Sequence, residues 1–197
     1  MLSASQINFE RYFEPVFKPV NFRLEAGKLL LITGDNGCGK TTLIRVLAGI
    51  LHPTSGKMQM QAETMAYVGH YLAIKDDLSV HENLRFMRDF MGTSRRSVKE
   101  VIEEVGLTRV AEQQARTLSA GQRKRCALAR LLLSDAQLWL LDEPYSNLDM
   151  SGVALVDRLL IQHLENGGGA VLATHGAHRP EWAGTEDYFL VSGAAAA

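Results

Sequence analysis

The sequence predicts an α/β fold carrying an α-helical insertion, and three observations predict it. Short apolar runs of strand type occur between residue 1 and about residue 69. Spaced apolar positions of helical type fill the segment from about 72 to 133. Strand and helix patterns alternate again from 136 to about 191. Two α/β zones flanking a helical one describe a single core interrupted by a lobe.

Each element follows from its pattern. Val20-Asn21-Phe22-Arg23-Leu24 alternates and predicts a half-exposed strand, whereas Leu29-Leu30-Leu31-Ile32 is continuous and predicts a buried one. Thr42 to Ala48 reads as a helix. In the lobe, Val80 to Met87 and Val98 to Val105 repeat helical spacing. Leu138 to Leu141 and Ala170 to Ala173 are further buried strands, with a helix near 151–165 between them that ends at Gly167-Gly168-Gly169. The closing Ala194-Ala195-Ala196-Ala197 is low in complexity and is assigned no function.

Composition narrows the function. The 197 residues fit one large domain, or one domain with an inserted lobe, and can bury a substantial core. With 21 basic against 22 acidic residues, no basic field favours a nucleic-acid partner. The two cysteines, Cys38 and Cys126, cannot build a disulfide framework and fit no zinc spacing, which predicts reduced thiols. The N-terminal MLSASQINFERYFEP lacks an apolar signal region, and no stretch approaches the roughly 20 apolar residues of a membrane span. A membrane role would therefore be a peripheral one.

Chemistry concentrates in a few short stretches. Gly34-Asp35-Asn36-Gly37-Cys38-Gly39-Lys40-Thr41 follows a buried strand and opens a helix, the setting in which G-x-x-x-x-G-K-[ST] cradles phosphates. Glycines let successive N–H groups face one point, and the helix N-terminus adds partial positive charge. Lys40 can reach the terminal phosphates, Thr41 can ligate Mg²⁺, and Thr42 can add a phosphate contact. The bland alternative is a glycine-rich turn, which gives Lys-Thr-Thr no reason to be there. Cys38 reads as a small neutral residue whose alkylation should block nucleotide.

Leu138-Trp139-Leu140-Leu141-Asp142-Glu143 is an apolar strand ending in two carboxylates. Strand ends form the ligand crevice of a parallel sheet. Asp142 is placed to support Mg²⁺, and Glu143 to polarise an attacking water. Solvated acids at a strand end are the alternative. His175 ends a third buried strand and can sense the γ-phosphate. Leu118-Ser119-Ala120-Gly121-Gln122 opens a helix with no reactive partner beside it.

Taken in order, the phosphate loop, LSAGQ, LLDEP, SNLD and TH resemble the ATPase subunits of ABC transporters over nearly the whole chain. The resemblance implies a P-loop NTPase core with a small antiparallel β subdomain and an inserted helical subdomain. The implied boundaries are 1–71 and 134–192 for the core and 72–133 for the lobe. It further implies ATP and Mg²⁺ as cofactors, bound by Gly34 to Thr42 with Asp142. Glu143 becomes the general base and His175 the switch. Ser119, Gly121 and Gln122 would act in trans on the γ-phosphate held by a second copy, set head to tail. Asp149 would lie in the loop that crosses that interface. The aromatic expected to stack on adenine falls near Arg11, with Tyr12 and Phe13 adjacent.

One departure is His70 in Tyr67-Val68-Gly69-His70, where most relatives carry a glutamine; it is read as coupling the lobe to the site. That departure, with Leu78-Ser79-Val80-His81-Glu82-Asn83-Leu84 and His163 before Gly167-Gly168, resembles the haem-exporter ATPases of cytochrome c maturation. The resemblance implies a peripheral subunit on the cytoplasmic face of the inner membrane, bound to integral membrane subunits, with residues 72–95 meeting that partner. Its ATPase would drive haem export or the release of a haem-loaded chaperone. The chain itself is expected to bind neither haem nor nucleic acid. Rival readings are an exporter of another small substrate, a soluble ATPase of the same family, and a regulatory module without turnover.

Overall fold

A five-stranded parallel sheet carries the site. The computed structural model describes residues 1–91, 96–176 and 178–193; the alanine run at the end lies outside them, as do residues 92–95 of the segment expected to meet a membrane partner. The chain divides into two compact units, one of Met1–His70, Gln137–Pro144 and Leu159–Ala197, the other of Tyr71–Ala136 and Tyr145–Arg158.

In the first unit, β1 (Leu2–Asn8) pairs antiparallel with β4 (Val20–Leu24) and with β6 (Ser55–Met60), forming a three-stranded sheet. A two-residue-stranded hairpin of β2 (Glu10–Arg11) and β3 (Glu14–Pro15) follows β1. The larger sheet comprises β5 (Leu29–Thr33), β7 (Met65–Val68), β8 (Leu138–Asp142), β9 (Gly169–Ala173) and β10 (Thr185–Phe189). All its pairings are parallel, in the order β10-β5-β9-β8-β7. The central strands β8 and β9 are buried at every residue, and β5 at all but its last, which is why their sequences read as unbroken apolar runs. Helix α1 (Lys40–Leu47) packs on β8 and β9 through Leu43, Ile44, Val46 and Leu47, all buried. Truncating one such core leucine to alanine costs about 2–5 kcal/mol.

The second unit is helical. Helices α2 (Val80–Met91), α3 (Val98–Glu104) and α4 (Ala120–Leu132) pack on one another. Each opens on the same local device. Ser79, Ser97 and Ser119 accept a hydrogen bond at the hydroxyl from the N–H three residues on, and Glu82, Glu100 and Gln122 accept in return from the serine N–H. Helix α5 (Met150–Glu165) is capped by Asp149, whose Oδ1 accepts from the Gly152 N–H at 2.8 Å. Among the described residues no helix is long and apolar enough to cross a membrane.

Candidate active site

Strand register brings the chemistry of the first unit together. Ile32 of β5 and Asp142 of β8 both pair with Ala173 of β9. The three central strands therefore end side by side. The chain leaves them into Gly34–Lys40, into Glu143 and into Thr174–His175 at one edge, where parallel sheets bind ligands. These segments, with Arg11 and Val16, line one cavity of about 230 Å³.

The loop after β5 is shaped to hold an anion. Gly39 sits at φ +104°, and a Cβ there would come within 2.8 Å of the Val16 side chain. Gly34 sits at φ +150°, and a Cβ there would meet the Leu190 carbonyl at 2.5 Å. Side-chain-bearing residues fit neither position. Lys40 is nearly buried and folds back across the loop, its ammonium donating to the Gly34 carbonyl at 2.7 Å and the Asp35 carbonyl at 3.1 Å. Unlike α2 to α5, α1 has no side-chain cap; its N-cap residue is Gly39. Its first-turn N–H groups stay available to an anion, reinforced by the helix dipole.

The acids of β8 divide the next tasks. Thr41 Oγ1 donates to Asp142 Oδ1 at 3.2 Å. Asp142 is 1% exposed, and its Oδ2 is buried without a hydrogen-bond partner. A buried carboxyl oxygen in that position calls for a cation or donor. Glu143 leaves the strand at φ +50°, its N–H donating to the Ala173 carbonyl at 2.9 Å. That left-handed turn, costly for a side-chain-bearing residue, aims the carboxylate away from Asp142's direction and toward His175, at 3.2 Å between Oε1 and Nε2. Burial raises the Glu143 carboxyl above the ordinary carboxylate range; His175 opposes the rise and Asp142 adds to it. The result is a more basic carboxylate beside a histidine, facing the phosphate cradle.

A second polar cavity of about 450 Å³ lies in the helical unit, lined by Ser119, Gly121, Gln122, Arg125, Asn147 and Asp149 among others. Ser119 Oγ accepts from the Gln122 N–H, which leaves its hydroxyl proton to donate outward. LSAGQ and SNLD, separated by 24 residues from Gln122 to Ser146, thus share one cavity.

Other expected residues fall elsewhere. His70 follows β7 and is exposed, and it does not line the cavity with Lys40 and Glu143. Of the expected adenine platform, only Arg11 lines that cavity. Tyr12 and Phe13 form the turn of the β2–β3 hairpin at φ +54° and +68°, and are 91% and 97% exposed. Cys38, read as a small neutral residue of the loop, points inward. It is 3% exposed, sits in the apolar core cluster, and its N–H donates to the Asp35 carbonyl. Asp35, Asn36 and Gly37 form the exposed crest of the loop. Val16 and Arg125 escaped the sequence reading. No motif marks them, and the fold alone brings them in.

Known proteins supply the comparison. The ABC transporter family profile matches residues 17–146. A cytochrome c biogenesis ATP-binding export protein CcmA from Xanthomonas oryzae is 48% identical over 188 residues, 90% of this chain and 88% of the relative. A protein of the same name from Mesorhizobium japonicum is 43% identical over 183 residues, 88% of this chain and 91% of the relative. Among solved structures, the ATP-binding cassette MJ0796, a dimer in a post-hydrolysis state with ADP and Pi, superimposes with a TM-score of 0.78 at 22% identity, covering 89% of this chain and 88% of that one. The chain belongs to the ABC transporter family and, within it, to the group of cytochrome c biogenesis ATP-binding export proteins called CcmA.

Proposed function

We propose that the chain is the ATP-hydrolysing subunit of a membrane export complex in c-type cytochrome biogenesis, working as a head-to-tail pair. The carrying observation is the Glu143–His175 contact of 3.2 Å in the same cavity as Lys40 and Thr41. A phosphate cradle alone binds; a basic carboxylate facing it can also activate water.

ATP phosphates sit against the Gly34–Thr42 backbone and the Lys40 ammonium. Residues present fit Mg²⁺: Thr41 Oγ1 and the partnerless Asp142 Oδ2 offer two oxygens, and the nucleotide supplies more. Mg²⁺ when bound neutralises charge on the β- and γ-phosphate oxygens. Glu143 takes a proton from the attacking water, and His175, its Nε2 3.2 Å from the Glu143 Oε1, holds the carboxylate in place on the γ-phosphate side. Arg11, beside the loop, covers the base.

The second cavity completes the site in another copy. The helix dipole of α4, the Ser119 hydroxyl and the Gly121 backbone favour an anion there. Hydrolysis replaces one shared γ-phosphate by separate products and lets the copies part. In the lobe, the exposed rings of Phe86 and Phe90 stack with centroids 6.1 Å apart, and Lys75 Nζ lies 4.9 Å from the Phe86 centroid. This surface is the proposed contact with the integral membrane subunits, His70 linking it to the site. The exported cargo is haem, or a haem-loaded chaperone is released, on the strength of the CcmA relatives.

Glu143→Gln tests the assignment. Hydrolysis should fall by about 10²–10⁴ with ATP affinity kept, and the variant should accumulate as an ATP-bound dimer. Wild-type turnover would remove Glu143 as the base. Capture of haem-bearing membrane subunits with the tagged chain tests the export role.

A further inference from the structure

We infer that Arg125 is a positioning residue: it acts through Asp149 to lock the loop 145–149 onto helix α4, so that the two move as one face. The inference rests on the reading above, in which Ser119 and Asp149 serve a second copy's nucleotide.

The geometry is a hub. Arg125 stands one turn beyond Gly121 and Gln122 on α4, on the same helix face. Its Nη2 donates to Asp149 Oδ1 at 3.0 Å and to Ser151 Oγ at 2.6 Å, and its Nη1 reaches the Val105 carbonyl at 3.5 Å. Ser151 Oγ donates to the same Asp149 oxygen at 2.9 Å, and the Gly152 N–H at 2.8 Å. One carboxylate oxygen thus receives three donors, one of them from α4. These hold the Asp149 carboxyl below the ordinary range, the Gly152 N–H contributing most, then Ser151, then Arg125.

The side chains differ in exposure, 18% for Arg125 against 73% for Asp149. An exposed ion pair has little worth by itself. Here its value lies in direction, because a planar guanidinium fixes two acceptors at once. Three further contacts hold the same loop. A Cβ on Gly121 would stand 3.1 Å from the Asn147 carbonyl, so loop backbone lies directly on the LSAGQ glycine. Upstream, Tyr145 donates its hydroxyl to Asp157 at 2.7 Å, and buried Lys124 donates to Ser146 Oγ at 3.3 Å. The loop is fastened at both ends, and the Arg125 end borders the cavity that holds Ser119. A displacement of Asp149 by a partner copy would be delivered to α4 through this guanidinium.

A double-mutant cycle tests it, in full-length chain carrying Glu143→Gln. The reading is the ATP concentration that half-dimerises the protein, beside single-copy ATP affinity below the dimerisation range. Arg125→Ala and Asp149→Ala should each raise the dimerisation midpoint about tenfold. The pair together should do no worse than the stronger single variant. Single-copy affinity should hold, which also certifies folding; Arg125→Lys should fall between. Multiplying effects would overturn the inference, because Arg125 would then act on its own. A midpoint unmoved by Arg125→Ala would overturn it as well. Failure of Glu143→Gln alone to dimerise with ATP would instead defeat the head-to-tail reading, and this inference with it.

Discussion

Thr41 and Asp142 are joined by a 3.2 Å hydrogen bond that ties the first turn of α1 to the end of β8 and leaves Asp142 Oδ2 buried and unpaired. That orphaned oxygen gives the first prediction. Asp142→Asn keeps the shape and removes the charge. It should weaken Mg²⁺–nucleotide binding about 10- to 100-fold. Titration calorimetry in EDTA should give wild type and variant similar affinities. Equal losses with and without Mg²⁺ would assign Asp142 a structural role.

Glu143 carries a pH signature. Its carboxyl is raised mainly by burial, so the folded chain holds the proton more tightly than the unfolded chain does. Above the ordinary glutamate value, the ionised form is therefore a penalty on folding; below it the penalty vanishes. Glu143→Gln should unfold at a higher temperature than wild type at pH 7, and the gap should close as pH falls toward 4. The acid limb of turnover should lie above the ordinary carboxylate range. A variant less stable than wild type at neutral pH would contradict the assigned direction.

Ser119→Arg places a bulky cation in the second cavity. Turnover should drop to background while single copies still bind nucleotide, because Lys40 and its loop are untouched. Fluorescent-nucleotide binding and phosphate release, measured on one preparation, separate the two. Undiminished release would exclude LSAGQ from the reaction.

His70 departs from the expected glutamine and stands outside the Lys40 cavity. His70→Ala should abolish most of the stimulation by the membrane subunits, with ATP affinity changed by no more than about twofold, as for other exposed positions. Stimulation equal to wild type would leave His70 without a coupling role.

Legibility followed burial and locality. Strands β5, β8 and β9 were readable because both their faces are covered, which demands unbroken apolar runs. Among the described residues, edge strand β10 pairs with β5 alone, and its TEDYF is largely exposed, so its sequence carries no strand pattern. Strand β6, also an edge, is mostly exposed and was equally silent. The β2–β3 turn places two aromatics at positive φ where Asn-Gly is the usual signal. It therefore hid the exposure of Tyr12 and Phe13. The phosphate loop and the β8 carboxylates were legible because their chemistry is contiguous in the chain. The capping boxes at Ser79, Ser97 and Ser119 were equally available as S-x-x-[EQ]. They also explain why LSAGQ looks like an ordinary helix start: what sets it apart is Gly121, which lets the Asn147 carbonyl approach. Arg125 could not be read, since its partner Asp149 lies 24 residues away and only folding joins them.

Specific ATPase activity measured against chain concentration tests the shared-site account most directly. Each copy supplies one part of a centre, so activity per chain should climb with concentration and level off once pairs predominate. Activity per chain that stays constant down to concentrations where sedimentation finds only single copies would contradict it.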